Sequence, residues 1–210
     1  MNIAIPIFDR FTALDAVGPY EVLCRLPDAT VTFVAAEPGP YRTENGMLAI
    51  TADRALDDVG DVDVLVVPGG YGTRALMADE QMLSWLRQIH AGSTWTTSVC
   101  TGSLLLAAAA ILDGLEATTH WMALPILAEH GAIPVQRRVV EQGKVITAAG
   151  VSAGIDMALT LAARIAGDSY AEAIQLGIEY DPDPPFAGGS IATARPEIVA
   201  AVKGATERLA

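Results

Sequence analysis

Short runs of β-branched residues alternate along the chain with longer segments that are rich in alanine and leucine. Runs of the first kind are typical of buried strands, and apolar residues at helical spacing are typical of helices. Strands are predicted at 3–8, 31–36, 48–51, 62–67 and 94–99, with a hairpin over 135–148. Helices are predicted at 15–26, 79–90, 102–112, 153–166 and 169–180, followed by a short helix at about 196–208.

Strands that alternate with helices predict an α/β fold, in which a mostly parallel central sheet is sandwiched by helices. The chain has 210 residues, a length that fits one domain. We therefore expect a single domain over 1–210, whose last part, 181–210, is an extended C-terminal arm and a short helix. The arm is predicted because DPDPPFAGG, at 181–189, is rich in proline.

In folds of this kind, ligands bind beyond the carboxyl ends of the parallel strands. Three segments are predicted to meet at that edge: LDAVGP at 14–19, VVPGGYG at 66–72 and SVCTGS at 98–103. The first follows a strand, the second is a strand that enters a glycine-rich turn, and the third is a strand that meets a helix. The sequence therefore predicts a site for a small-molecule substrate at this edge of the sheet.

Cys100 stands between a predicted strand and a predicted helix, which is the position of the nucleophile in a nucleophile elbow. The positive end of the helix favours a thiolate, so we expect a lowered pKa for this thiol. Gly102 would let a neighbouring segment pass close to the elbow. The alternative is a buried and inert cysteine, because free cysteines are among the residues most often found in protein cores.

Asp15 is an acidic residue in an apolar context at the start of a predicted helix. It either caps that helix or acts as a partly buried acid that exchanges protons with the thiol. The PGGYG turn lacks the Lys-Ser/Thr pair of a phosphate-binding loop. We therefore predict that Gly69 and Gly70 present backbone N–H groups to an anion or to developing negative charge, beside Tyr71.

Two further candidate pocket residues, His120 and Trp121, lie in ATTHW, where a strand is predicted to lead into a helix. The chain has three histidines, and they are scattered without the spacing of metal ligands. The sequence predicts no metal site and no cofactor.

The composition narrows the range of partners. The chain carries 25 acidic and 13 basic residues, for a formal net charge of −12, which argues against a nucleic-acid partner. Two cysteines are too few for a disulfide framework, and they lie too far apart for a zinc-knuckle spacing. No uncharged apolar run reaches the roughly 20 residues of a membrane span. The first residues also lack the basic start of a signal peptide, so we expect a cytoplasmic protein with no membrane partner.

Taken together, the three segments resemble the ThiJ/PfpI superfamily, whose members share the class I glutamine amidotransferase-like, flavodoxin-like fold with a nucleophile elbow. Within that superfamily the motifs are most similar to those of the isocyanide hydratases, and they stand in the same order. The motifs are LDAVGP, EPGP (37–40), VPGGYG, TSVCTGS, ATTHW, GVSAGIDMALTLAA (150–163) and EYDPDPPF (179–186). The resemblance covers nearly the whole chain.

This resemblance implies a cysteine enzyme, a homodimeric lyase that hydrates isocyanides to N-substituted formamides without a cofactor. Cys100 would attack the isocyanide carbon to give a covalent thioimidate, Asp15 would donate or relay the proton, and Thr101 would assist. Thr101 stands where protease-like relatives often carry a histidine, which argues against peptide cleavage.

Two other functions stay open at this point. One is a cofactor-free glyoxalase or deglycase activity on 2-oxoaldehydes, although such members usually carry glutamate where this chain has Asp15. The other is a redox sensor without turnover, in which Cys100 is oxidised to the sulfinic acid.

Overall fold

The β-branched runs form strands and the alanine-rich segments form helices in the computed structural model, which describes residues 1–207. The strands are β1 (Asn2–Pro6), β2 (Thr30–Ala35), β3 (Gly39–Arg42), β4 (Ala49–Ala52), β5 (Arg54–Ala55), β6 (Val64–Val67), β7 (Trp95–Val99), β8 (Glu116–Ala117), β9 (Ile133–Pro134), β10 (Val139–Gln142) and β11 (Val145–Ala148). The helices are α1 (Ala13–Leu23), α2 (Thr73–Leu76), α3 (Glu80–Gly92), α4 (Gly102–Ala108), α5 (Leu124–Glu129), α6 (Ala153–Ala166), α7 (Asp168–Gly177) and α8 (Pro196–Glu207). Short 3-10 turns cover Leu56–Asp58 and Trp121–Ala123.

Seven strands form the central sheet, in the order β10-β11-β7-β6-β1-β2-β5. All neighbours are parallel except β10, which pairs with β11 as an antiparallel hairpin. The prediction of an α/β fold with a mostly parallel sheet and helices around it is confirmed, and so is the hairpin. The sequence order of strands along the sheet reverses beside β1, which brings the ends of β1, β6 and β7 to one edge.

Close packing of α1 against α6 positions the start of α1 at that edge. A Cβ atom on Gly154 of α6 would lie 3.0 Å from the side chain of Val99 and 3.3 Å from Pro19 of α1. A Cβ on Gly18 of α1 would lie 3.2 Å from Ile155. Small residues on both helices therefore let them approach each other and the end of β7, where the cysteine follows.

Several predicted elements differ in their bounds or partners. The first helix begins at Ala13, two residues earlier than predicted, and α4 ends at Ala108, because Ala110 adopts a positive φ of 60° that stops the helix. The segment predicted as a strand at 48–51 is β4, which pairs with β3 in a separate antiparallel hairpin. The predicted end of the last helix at Arg208 lies outside the described residues.

The chain divides into two units, Met1–Ile178 and Glu179–Ala210. The central sheet and helices α1 to α7 lie in the first unit. Within the second, the proline-rich stretch 181–189 has no regular helix or strand and is exposed, and α8 follows it. The expectation of a single domain with a C-terminal arm stays a prediction. Over the described part of the chain, every helix is too short or too polar to span a lipid bilayer.

Candidate active site

Cys100 occupies a sharp turn between β7 and α4. Its φ is +56°, in the left-handed region that side chains other than glycine rarely adopt. Its backbone N–H donates to the carbonyl oxygens of Ala148 (3.2 Å) and Ala149 (3.0 Å) at the end of β11. A Cβ atom on Gly102 would lie 2.1 Å from the carbonyl oxygen of Val67, so only glycine fits there. This geometry is that of the predicted nucleophile elbow.

Asp15 lies in the first turn of α1, with its side chain fully buried. Its Oδ2 accepts a hydrogen bond from the backbone N–H of Gly69 at 2.9 Å, across the loop that follows β6. The N-cap of α1 is Thr12. The interpretation of Asp15 as a helix cap is therefore wrong, because its carboxylate faces the loop after β6 and does not bind the helix's own N–H groups.

Burial also changes the acidity of Asp15. Loss of hydration raises its pKa from 3.8 to about 7, because water no longer stabilises the charged form. The N–H of Gly69 and the thiol of Cys100 oppose this rise, and the negative charge of Glu44 adds to it. Its second oxygen, Oδ1, has no partner with hydrogen-bond geometry among the described residues. Asp15 is therefore a carboxyl group that exchanges its proton near neutral pH.

The thiol of Cys100 behaves in the opposite way from the sequence-based expectation. Only 5% of the residue is exposed, and burial, followed by the charge of Asp15, raises the pKa of the thiol. The backbone N–H groups of Val151 and Thr101 offset part of that rise. The expected lowering by the helix end is wrong, because α4 is short and burial outweighs it. The thiol and the carboxyl titrate as a coupled pair.

A network of backbone and hydroxyl groups fixes the loop beside this pair. Gly70 N–H donates to Thr101 Oγ1 at 2.9 Å, and Thr101 Oγ1 lies 3.2 Å from the Gly70 carbonyl oxygen. Thr73 Oγ1 donates to the same carbonyl at 2.8 Å. A Cβ atom on Gly69 would lie 2.5 Å from Thr101 N and 2.9 Å from Asp15 Oδ2. The structure thus brings four of the predicted site residues, Asp15, Gly69, Gly70 and Thr101, together around a turn that requires glycine.

The two glycine N–H groups predicted to face developing charge already have acceptors inside the protein. Gly69 donates to Asp15 and Gly70 donates to Thr101. The anion that the Gly69 N–H contacts is thus the carboxylate of Asp15 itself. A direct role for either glycine in binding substrate stays a prediction, and it requires one of these bonds to be given up.

His120 is half-buried at the start of a 3-10 turn, where its Nδ1 accepts from Met122 N at 3.4 Å. Its ring centre is 5.7 Å from that of Trp121, and a Cβ on Gly150 would lie 2.8 Å from its Cδ2. Burial, followed by the charge of Arg74, lowers the pKa of His120. The imidazole is therefore neutral at pH 7, next to the turn after β11 that borders the thiol.

Tyr71 lines a cleft that Cys100, Asp15 and Thr101 do not line. A cleft of about 500 Å³ lies between the ends of β1 and β2 and helix α2, and Tyr71 lines it together with Arg10 and Arg74. The guanidinium carbon of Arg10 lies 5.5 Å from the centre of the Tyr71 ring. The three predicted catalytic residues do not line this cleft. A contact of Tyr71 with substrate stays a prediction.

Two residues of the site are not among the site residues predicted from the sequence. Glu44 lies in the turn between β3 and β4, and its Oε2 accepts from Thr12 Oγ1 at 3.1 Å. Val151, with a positive φ of 41°, supplies one of the N–H groups near the thiol. The position of Val151 directly after a predicted strand was a usable signal. Glu44 carried none, because only the fold brings its hairpin to this edge.

A left-handed cysteine at the end of a parallel strand, next to a buried carboxyl group, defines the class: an α/β protein with a nucleophile elbow. Residues 1–164 match the model of the DJ-1/PfpI family. The chain belongs to that family.

Similar proteins of known name narrow the range of functions within this family. The chain is 44% identical over 199 residues to the isonitrile hydratase of Pseudomonas putida, which covers 95% of this chain and 87% of that protein. It is 31% identical over 171 residues to the HTH-type transcriptional regulator CdhR of Pseudomonas aeruginosa, covering 80% of this chain and 50% of the regulator. The chain is thus a homologue of an enzyme along nearly its full length, and of a regulator along half of that regulator.

Solved structures agree with this placement. A crystal structure of a THiJ/PfpI family protein from Pseudomonas syringae matches with a TM-score of 0.95 and 38% identity, covering 99% of this chain and 86% of that one. Drosophila melanogaster DJ-1beta matches with a TM-score of 0.78 and 22% identity, covering 85% and 97%. The second likeness concerns the fold alone.

Proposed function

We propose that the protein hydrates isocyanides, also called isonitriles, to N-substituted formamides, with Cys100 as the nucleophile. The observation that carries the proposal is the coupled pair at the elbow, in which a left-handed cysteine lies beside a buried carboxyl group with a pKa near 7. Identity of 44% to an isonitrile hydratase supports the choice of substrate.

In the first half of the reaction, the Cys100 sulfur bonds to the terminal isocyanide carbon. Ionised Asp15 accepts the thiol proton as this bond forms and passes it to the same carbon. The product is a thioimidate, R–N=CH–S–Cys100. The reactive form of the pair holds one proton, since a fully protonated pair has no base and a fully ionised pair has no acid.

In the second half, water adds to the thioimidate carbon, one of its protons goes to nitrogen, and Asp15 relays the other. The C–S bond then breaks, the sulfur regains a proton, and the N-substituted formamide leaves. One water is consumed and the pair returns to its starting state. These steps need no metal and no organic cofactor.

The groups around the sulfur favour this sequence of steps. The N–H groups of Thr101 and Val151 favour the charged thiolate as it forms. Oδ1 of Asp15, without a hydrogen-bond partner among the described residues, is available to move the proton. The hydroxyl of Thr101 holds the Gly70 loop in place. We therefore assign Thr101 two roles: its hydroxyl positions the loop, and its backbone N–H favours the thiolate.

The other candidate functions use the same cysteine and are separated by substrate. A glyoxalase or deglycase would consume 2-oxoaldehydes, and a redox sensor would turn over neither substrate. Burial of Cys100 and the raised pKa of its thiol argue against the sensor, because oxidation favours exposed thiolates.

The test follows formamide production from a simple aryl isocyanide by the purified protein, with a 2-oxoaldehyde assayed in parallel. We expect isocyanide turnover by the wild type, and a loss of at least about 1000-fold in Cys100→Ala. Cys24→Ala is the matched control, since Cys24 follows α1 at its far end, and it should keep its activity. Full activity in Cys100→Ala, or consumption of the 2-oxoaldehyde alone, would overturn the proposal.

We also propose that the protein is a cytoplasmic homodimer. Exposed apolar side chains near the site support an interface: Leu14 in α1 is 40% exposed, and Met47 and Leu48 in the β3–β4 turn are 86% and 48% exposed. Light scattering measures the mass in solution, and a monomer at micromolar concentration would contradict the dimer. A polar replacement, Met47→Glu, should weaken it, whereas the same change at exposed Leu176 is the control.

A further inference from the structure

Glu44 reaches the active-site edge through Thr12. Thr12 Oγ1 donates to Glu44 Oε2 at 3.1 Å, and the backbone N–H of Glu44 donates to the carbonyl oxygen of Phe11 at 3.0 Å. Phe11 also forms β-bridges with Thr43 and with Gly70. These contacts join the tip of the β3–β4 hairpin to the segment that leads from β1 into α1.

Thr12 is in turn connected to the buried carboxyl group. Its N–H donates to the Gly69 carbonyl oxygen at 2.9 Å, and Asp15 N–H donates to the Thr12 carbonyl oxygen at 3.1 Å. The Gly69 N–H donates to Asp15 Oδ2 at 2.9 Å. Three hydrogen bonds thus form a closed ring of Thr12, Gly69 and Asp15, and Glu44 binds the Thr12 corner of that ring.

Glu44 also acts through its charge. It raises the pKa of Asp15, after burial, and it adds to the rise in the pKa of Cys100 that burial and Asp15 cause. Among the described residues, Glu44 is thus a charged group outside the pair that acts on both of its members. A carboxylate near two groups that become negative disfavours their ionisation.

We propose that Glu44 is a positioning residue of this site, which holds Thr12 against the Asp15 ring and whose negative charge raises the pH at which the Asp15–Cys100 pair loses its first proton. The kinetic consequence of this role rests on the proposed hydratase function. Its effect on the thiol does not, so the two can be tested separately.

Two variants separate the hydrogen bond from the charge. Glu44→Gln keeps an acceptor for Thr12 and removes the charge, whereas Thr12→Val removes the bond and keeps the charge. In a Cys24→Ala background, the rate of Cys100 alkylation by iodoacetamide rises with pH as the pair loses its first proton. Glu44→Gln should move this rise about half a pH unit toward acid, a modest shift because solvent screens an exposed carboxylate.

At pH 6, alkylation of Glu44→Gln should therefore be about threefold faster than that of the wild type, and kcat/KM for the isocyanide should rise by the same factor. Thr12→Val should lower kcat/KM with no change in the midpoint. Glu129→Gln, at the exposed end of α5, is the control for loss of one negative charge and should leave the midpoint in place.

A Glu44→Gln profile that superposes on the wild type would overturn the proposal. So would an equal shift in Glu129→Gln or in Thr12→Val, because the effect would then not belong to the Glu44 charge. If no isocyanide is consumed, the hydratase proposal fails, and the alkylation profile still decides the role of Glu44.

Discussion

The two ends of strand β7 differ in whether their buried polar groups have hydrogen-bond partners. At the amino end, the fully buried Thr96 hydroxyl contacts His90 Nδ1 at 2.8 Å and Ser93 Oγ at 3.0 Å. Lys144 Nζ donates to the carbonyl oxygens of His90 and Ser93, the latter at 3.1 Å. Helix α3, β7 and the β10–β11 hairpin are joined there by groups that all have partners.

At the carboxyl end, the backbone is strained and one charge-bearing atom is left unpaired. Cys100 and Val151 both have positive φ angles, of 56° and 41°. Asp15 Oδ1 is buried with no hydrogen-bond partner among the described residues. Each of these features costs stability, of the order of 1–3 kcal/mol in comparable cases.

The contrast indicates that the carboxyl end of β7 is less stable than it could be, because its geometry is suited to chemistry. Polar groups at the amino end satisfy one another, so that end contributes to stability and offers no reactive atom. At the carboxyl end, the surrounding structure holds in place a strained backbone and a carboxyl oxygen without a partner among the described residues. Such departures from local rules are expected at functional sites. The comparison predicts that a substitution at the carboxyl end lowers activity and can raise stability. A substitution at the amino end should lower stability and leave activity nearly unchanged.

Asp15→Asn should give the largest effect. The pKa of Asp15 is about 7 in the folded state, whereas the ordinary value of 3.8 applies to the unfolded state. Between these two pH values, the folded state therefore holds a proton that the unfolded state has lost. Wild-type stability therefore falls as pH rises through this window, by on the order of 4 kcal/mol. The asparagine variant lacks this fall and should gain stability at pH 8, while formamide production drops at least about 100-fold.

Denaturant midpoints at pH 5 and pH 8 measure the stability part of this prediction. Asp58→Asn is the matched control, because Asp58 is exposed in a 3-10 turn and its replacement should show no such pH-dependent gain. A variant that is less stable than the wild type at pH 8 would show that the Asp15 carboxylate contributes to stability there, and would break the contrast between the ends of β7.

Much of the fold could be predicted from the sequence because its buried strands carry clear β-branched runs. The observed bounds of α6, Ala153–Ala166, equal the predicted ones, since its apolar residues have helical spacing and Gly167 ends it. The run after Cys100 is apolar on every side, so its pattern could not show that α4 stops at Ala108. The pairing of β4 with β3 depends on contacts between distant residues, which local patterns do not contain.

The site was predictable where the chemistry is local. The elbow at Cys100, the glycine at 102 and the meeting of Asp15 with the Gly69 loop follow from motifs at strand ends. The direction of the thiol pKa was predicted wrongly, because sequence shows a helix start and hides the depth of burial. Glu44 was missed for a similar reason, since its influence on the pair comes from a hairpin whose position only the fold determines.

Thr96→Val tests the other end of the comparison and should give the smallest effect on activity. Valine has the shape of threonine without the hydroxyl, so His90 Nδ1 and Ser93 Oγ lose their shared contact. The free energy of unfolding should fall by about 1–3 kcal/mol, and kcat/KM should stay within about twofold of the wild type. Thr97→Val, which removes a single bond to the Leu65 carbonyl oxygen at 3.0 Å, is the matched control and should cost less stability. Urea unfolding and the formamide assay on the same samples measure both quantities. A loss of activity as large as the loss of stability would mean that strain at Cys100 depends on the amino end of β7, and the two ends would then have to be treated as one coupled unit.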